Sequence, residues 1–109
     1  MIDGVWEKTP TEERSFSAEF SANIPSGDVI KPIGVGSQTD VVITDSTGVD
    51  VTVSLLKTKA VSGTKLTITF QAGTDGMDYQ VIARAEMNSA ATVFDKMFEL
   101  RVRAGRRTL

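Results

Sequence analysis

The sequence predicts an all-β domain of two facing sheets, and three observations lead to it. Apolar residues recur at every second position over several short segments, which turns one face of each segment towards a dry interior. Turn-forming stretches such as Pro25-Ser26-Gly27-Asp28, Asp45-Ser46-Thr47-Gly48 and Ser62-Gly63-Thr64 separate those segments. Proline presets φ there and glycine admits positive φ. Finally, Thr74-Asp75-Gly76-Met77-Asp78 leads straight into Tyr79, after which Val81, Ala83, Ala85 and Met87 keep the period of two. A tyrosine at the start of such a strand packs under the turn and sends its hydroxyl back to an upstream backbone group, a tyrosine corner.

The elements follow in order. Residues 1–14 are polar and acid-rich, with Val5 and Trp6 as their large apolar groups, and read as an N-terminal arm or edge segment. Phe16, Ala18, Phe20, Ala22 and Ile24 alternate with polar residues and predict a first strand with one buried face. Val29–Val35 predicts a short strand, and Pro32 within it calls for an edge position or a bulge, because proline cannot donate to a ladder. Val41-Val42-Ile43-Thr44 is a β-branched run. Val49, Val51, Val53 and Leu55 make the cleanest alternation in the chain, with Asp50, Thr52 and Ser54 on the wet face. Leu66, Ile68 and Phe70 predict the next strand, and the corner strand from Tyr79 follows it.

Ala90–Arg101 is ambiguous: it is rich in helix formers, and Ala90, Phe94, Met97 and Phe98 fit a helical stripe. A strand is preferred, because the corner strand needs an antiparallel partner and no other segment remains. Such a strand turns Phe98, Leu100 and Val102 inward but also buries Lys96, which calls for a bulge or a late start. Residues 104–109 form a basic tail. The full pattern, about seven short strands with turn signals every 8–12 residues or so, is that of an immunoglobulin-like, Greek-key antiparallel β-sandwich over residues 15–103. Where an extracellular domain of that class carries its second cysteine, this chain has Val81, so the sandwich is built without a disulfide.

Composition narrows the chemistry. A chain of 109 residues fits one domain with a core of its own. There is no cysteine and no histidine, which removes thiol chemistry, the commonest general base and the commonest zinc ligand. The formal charge of −2 gives no reason to expect a nucleic-acid partner. The first residues have no basic start and no long apolar run, so no signal peptide is expected, and no segment reaches the roughly 18 apolar residues that span a bilayer. The expectation is a soluble intracellular product or one released by lysis, with no cofactor and no metal.

Few residues stand out as candidates. Gly76, Tyr79 and Val81 carry the structural corner. Trp6, the only tryptophan, either folds over an open sheet end or anchors into a neighbouring subunit. Asp40, Asp45, Asp75 and Asp78 fall in loops whose oxygens could hold calcium, but their spacing lacks the Asp-x-Asp-x-Asp-Gly pattern and favours turn chemistry. Arg101, Arg103, Arg106 and Arg107 concentrate basic charge as a further interface candidate, without the interleaved aromatics that stack bases. A catalytic serine or threonine would have only Lys, Asp or Glu as its base, and Glu12 and Glu13 sit in the arm, where burial cannot tune them. No catalytic residue is expected.

With these features in order, Phe16-Ser17-Ala18-Glu19-Phe20-Ser21, then Gly27-Asp28-Val29-Ile30, then a Gly-x-x-Gly-x-x-Tyr-x-Val corner (Gly73, Gly76, Tyr79, Val81) and a closing Leu100-Arg101-Val102, the chain resembles the short immunoglobulin-like proteins encoded among the structural genes of tailed bacteriophages and prophages. The match runs over roughly residues 8–103 and departs at Pro32-Ile33-Gly34-Val35-Gly36, where such proteins usually continue their second strand. The resemblance implies a virion component docking on a head, neck or tail protein, made in the bacterial cytoplasm, and it carries over no catalytic residue. A carbohydrate-binding or host-adhesion module is the alternative, although Trp6 and Tyr79 are the only aromatics besides phenylalanine.

Overall fold

The computed structural model describes residues 2–89 and 92–104. Seven strands and one helical turn follow one another: β1 (Gly4–Lys8), β2 (Arg14–Glu19), β3 (Asp40–Thr44), α1 (Thr52–Leu55), β4 (Leu56–Ser62), β5 (Lys65–Phe70), β6 (Asp78–Glu86) and β7 (Val93–Val102). They form a four-stranded sheet in the order β1-β7-β6-β3 and a three-stranded sheet in the order β2-β5-β4. The chain is therefore all-β, and the two sheets pack face to face as a sandwich.

Period two produces the core directly. Ala18 of β2, Ile43 of β3, Leu66, Ile68 and Phe70 of β5, and Val81 and Ala83 of β6 are all fully buried in one cluster with Leu100 and Val102 of β7. Fully burying a valine, leucine, isoleucine or phenylalanine side chain stabilises the fold by about 1.5–3 kcal/mol.

One strand pair departs from the expected antiparallel arrangement. β1 runs parallel to β7, in the register Val5↔Glu99 and Glu7↔Arg101. No hairpin joins the two, and the chain passes from β1 to β2 in the opposite sheet, so nothing forces antiparallel pairing. Within β1 the alternation is Val5 out, Trp6 in, Glu7 out, Lys8 in.

Four further expectations are corrected. The first strand does not run on to Ile24: it ends at Glu19, the Asn23 and Ile24 N–H groups both turn back to Phe20 O, and Ala22 is exposed. Val29–Val35 is not a strand: Ile30 forms a lone bridge with Met87, and the Lys31 N–H donates to Glu86 O at 2.7 Å before Pro32 ends the pairing. The alternation over residues 49–55 is not a strand either. Asp45 and Val49 close a tight turn, Val51 N–H returns to Ile43 O at 2.8 Å, and α1 carries the chain from one sheet to the other. Val49 and Val53 end 56% and 94% exposed.

Lys96 needs no bulge, since β7 pairs with β6 in unbroken register from Val93. Its ammonium rises 5.5 Å above the Phe20 ring, so a cation–π contact replaces burial of the charge. Residues 93–102 are thus strand, while Ala90 and Ala91, the start of the ambiguous segment, lie outside the described residues.

Candidate functional site

Tyr79 opens β6 and is 5% exposed, and its hydroxyl oxygen accepts a hydrogen bond from the Thr74 backbone N–H at 3.0 Å. Gly76 sits in the turn at φ 85°, a conformation that only glycine adopts freely, and its N–H donates to Val102 O at 2.8 Å. Val81 follows inside the core. Together these groups fasten one end of the sandwich.

Trp6 is committed to the contact between the sheets. Its ring stacks on Phe98 at 4.1 Å and on Phe16 at 4.9 Å, with Phe70 tilted against it at 5.8 Å. Moving it into a neighbouring subunit would break all three contacts. With Trp6 sandwiched between Phe98 and Phe16 and Tyr79 buried, the described surface offers neither ring as a platform for stacking a sugar.

The basic cluster divides in the same way. Arg103 donates to Met77 O at 3.1 Å, Val102 O at 2.9 Å and Asp78 Oδ1 at 2.7 Å, clamping the turn before β6. Arg101 is exposed and pairs with Glu99 at 3.0 Å. Arg106 and Arg107 lie outside the described residues.

Of the four aspartates expected in loops, Asp40 and Asp78 are instead the first residues of β3 and β6, and all four are held apart by separate duties. Asp40 pairs with Lys59, Asp75 accepts from the Ala104 N–H at 2.7 Å, and Asp78 takes Arg103. Asp45 folds into its own turn, accepting from the Thr47 hydroxyl at 2.6 Å and the Val49 N–H at 3.0 Å. Those bonds, the Thr47 hydroxyl foremost, hold its carboxyl below the usual range. Among the described residues no group of three metal-ligating side chains converges.

Sequence reasoning missed two buried charged groups. Lys8 is fully buried and donates to Thr9 O at 2.6 Å and to the carbonyl of Ala72. Burial lowers its pKa, and the Glu12 carboxylate opposes that shift. The only sequence signal was its place two residues after Trp6, on the inward parity of β1. Glu86, 6% exposed, accepts from the Gln38 N–H at 2.8 Å and lies 3.9 Å from Lys31, which moors the 31–39 loop to the end of β6.

What remains outward is a surface. On the outer face of the four-stranded sheet, Met97, Ile82 and Val42 form an apolar row across β7, β6 and β3. Val5 stands on the edge strand beyond it, 50% exposed. Two hollows flank this row. One, of about 400 Å³, is lined by Ile2, Asp45, Asp78, Gln80 and Glu99 among others; the second, of about 300 Å³, by Gln38, Asp40, Val42, Ile82 and Arg84 among others. The outer face of the other sheet differs in kind. There Ser15 bonds Thr69 at 2.7 Å and Ser17 bonds Thr67 at 3.2 Å, a lawn of small, mutually bonded hydroxyls.

The free edge at β3 is closed. Its outward N–H groups at Val41 and Ile43 donate to Asp40 Oδ1 at 2.8 Å and Thr52 Oγ1 at 2.8 Å, leaving an added strand no donor at either residue.

No protein-family model matches the chain, and no curated protein matches its sequence. Among the described residues no helix is long and apolar enough to cross a membrane.

Proposed function

We propose that this chain is a non-catalytic structural component of a bacteriophage or prophage particle, an immunoglobulin-like sandwich that docks on a capsid, neck or tail protein. The immunoglobulin-like reading is supported by the strand orders β1-β7-β6-β3 and β2-β5-β4 together with the tyrosine at the start of β6. The docking reading rests on one observation. Trp6, Tyr79, Arg103 and the four candidate aspartates are tied into the scaffold, while the outer face of the four-stranded sheet leaves an apolar row partly exposed.

The mechanism is complementarity of surfaces. The chain is made in the bacterial cytoplasm and joins the particle on assembly. A particle presents many copies of one docking position, so a modest contact per copy suffices when neighbouring contacts reinforce it.

The test is co-sedimentation. Particles are purified from an induced host that carries the gene, and the protein is quantified in particle and soluble fractions. It is expected with the particles at a fixed ratio to the major capsid protein. Finding all of it in the particle-free fraction would overturn the proposal, and tight binding to a glycan would support the adhesion alternative instead.

A further inference from the structure

We infer that the outer face of the four-stranded sheet is the docking surface, and that it takes a protein surface presenting an apolar centre ringed by arginine or lysine. This rests on the structural-component reading and adds to it the face and the chemistry of the partner.

The centre is the Met97–Ile82–Val42 row, where register places the three side chains abreast on adjacent strands. Val42 is 37% exposed, and neither Ile82 nor Met97 is fully buried. Partly exposed apolar groups gathered in one row, with polar groups around them, mark an interaction surface more than scattered ones do. In contrast, the opposite sheet turns small hydroxyls outward that already bond one another.

Charge selects the partner. Asp3, Glu7, Asp95 and Glu99 lie along the β1–β7 side of the face, with Asp40 and Asp78 on the β3 and β6 side. The cations within the face are Arg84 and Arg101, each already paired with a carboxylate on β7. Lys59 and Arg103 reach Asp40 and Asp78 from the margins, and even with them the face keeps an excess of carboxylates. A second copy of this face would meet like charge, and phosphate-rich surfaces would be repelled. Each of the two hollows has a carboxylate in its lining, Asp45, Asp78 and Glu99 in the first and Asp40, beside Arg84, in the second.

Size bears on strength. Strands of 5, 10, 9 and 5 residues, about 4.8 Å apart and about 3.3 Å per residue, make a face of roughly 460 Å² in plan, under the roughly 800 Å² per partner of a standard stable interface. A single contact is therefore weak, and stable attachment needs many copies.

The test uses a defined probe, an amphipathic peptide with leucines on one face and arginines around them, beside a counterpart with glutamates in place of the arginines. Titration into the isotopically labelled protein should move the amide signals of Val42, Ile82, Met97 and Glu99 with the basic peptide only. Affinity should fall at least tenfold in Ile82→Asp, and also in Glu7→Lys, an exposed edge change that leaves the core untouched. Shifts confined to the β2-β5-β4 face, equal binding of both peptides, or self-association abolished by Ile82→Asp would each overturn the inference. So would binding of the protein to anionic vesicles or duplex DNA through this face. Co-sedimentation of wild type and Ile82→Asp with particles separates the two readings. Equal retention of both overturns the face and leaves the structural role standing. A peptide response without any particle association overturns the role and leaves the face.

Discussion

The ammonium of Lys8 donates to the carbonyl of Ala72, 64 positions along the chain, from a side chain with no solvent exposure. Ala72 holds the left-handed φ of 54°, immediately before Gly73 at φ 100°. The buried lysine thus fastens the edge strand β1 to the awkward turn that leads to the tyrosine corner.

Burial places the Lys8 pKa below its ordinary value of 10.5. Between the folded value and 10.5 the unfolded chain keeps a proton that the folded chain has released, so stability rises with pH across that window. Below it, the cost of burying the charge is present in full. Urea unfolding of wild type and Lys8→Met at a series of alkaline pH values should show wild type gaining on the variant as pH approaches 10.5. A gap that stays constant with pH would show that Lys8 does not titrate on folding.

Tyr79→Phe keeps the ring and removes the acceptor of the Thr74 N–H. The cost should be about 1–2 kcal/mol, that of an unmet, partly buried donor. Hydrogen exchange at Thr74 should quicken, with the β5 amides unaffected.

Gly73 and Gly27 separate backbone strain from crowding. Both have positive φ, but a Cβ on Gly73 would lie 2.9 Å from Val102, whereas one on Gly27 meets open space. Gly27→Ala should cost about 1 kcal/mol and Gly73→Ala clearly more, roughly 2–3 kcal/mol, in thermal unfolding.

The Asp45 turn sets part of the acid limit. Because its folded pKa lies below the ordinary value of 3.8, its contribution is present in full above 3.8 and disappears as pH falls through the folded value. Asp45→Ala should therefore be less stable than wild type at neutral pH, and the two should converge in acid. Chemical unfolding at a series of pH values measures this.

Trp6→Ala removes the ring shared by both sheets, and its cost should be about 3 kcal/mol, the low end for a large aromatic because the site is only half-buried. Tryptophan fluorescence in this protein therefore reports unfolding of the sandwich and is a poor reporter of docking.

The strands that bury one face were readable because their pattern has a single cause. Phe16 and Ala18, Leu66 to Phe70, and Tyr79 to Ala85 alternate because each packs on the opposite sheet. The same pattern misled at Val49–Leu55, where β-branched residues alternate but the chain must cross between sheets, a demand that local sequence does not carry. In β1 the opposite happened. Lys8 occupies an inward position and hides the alternation, and the distant acceptor that permits its burial is not visible locally. The outward row was hidden for a related reason: Val42, Ile82 and Met97 are far apart in sequence and meet only through register.

The capped edge at β3 has a consequence for crowding. With Asp40 and Thr52 occupying its outward donors, that flank gives a neighbouring chain no template on which to extend the sheet. Two copies of the chain therefore cannot join β3 to β3 into one continuous sheet through those residues.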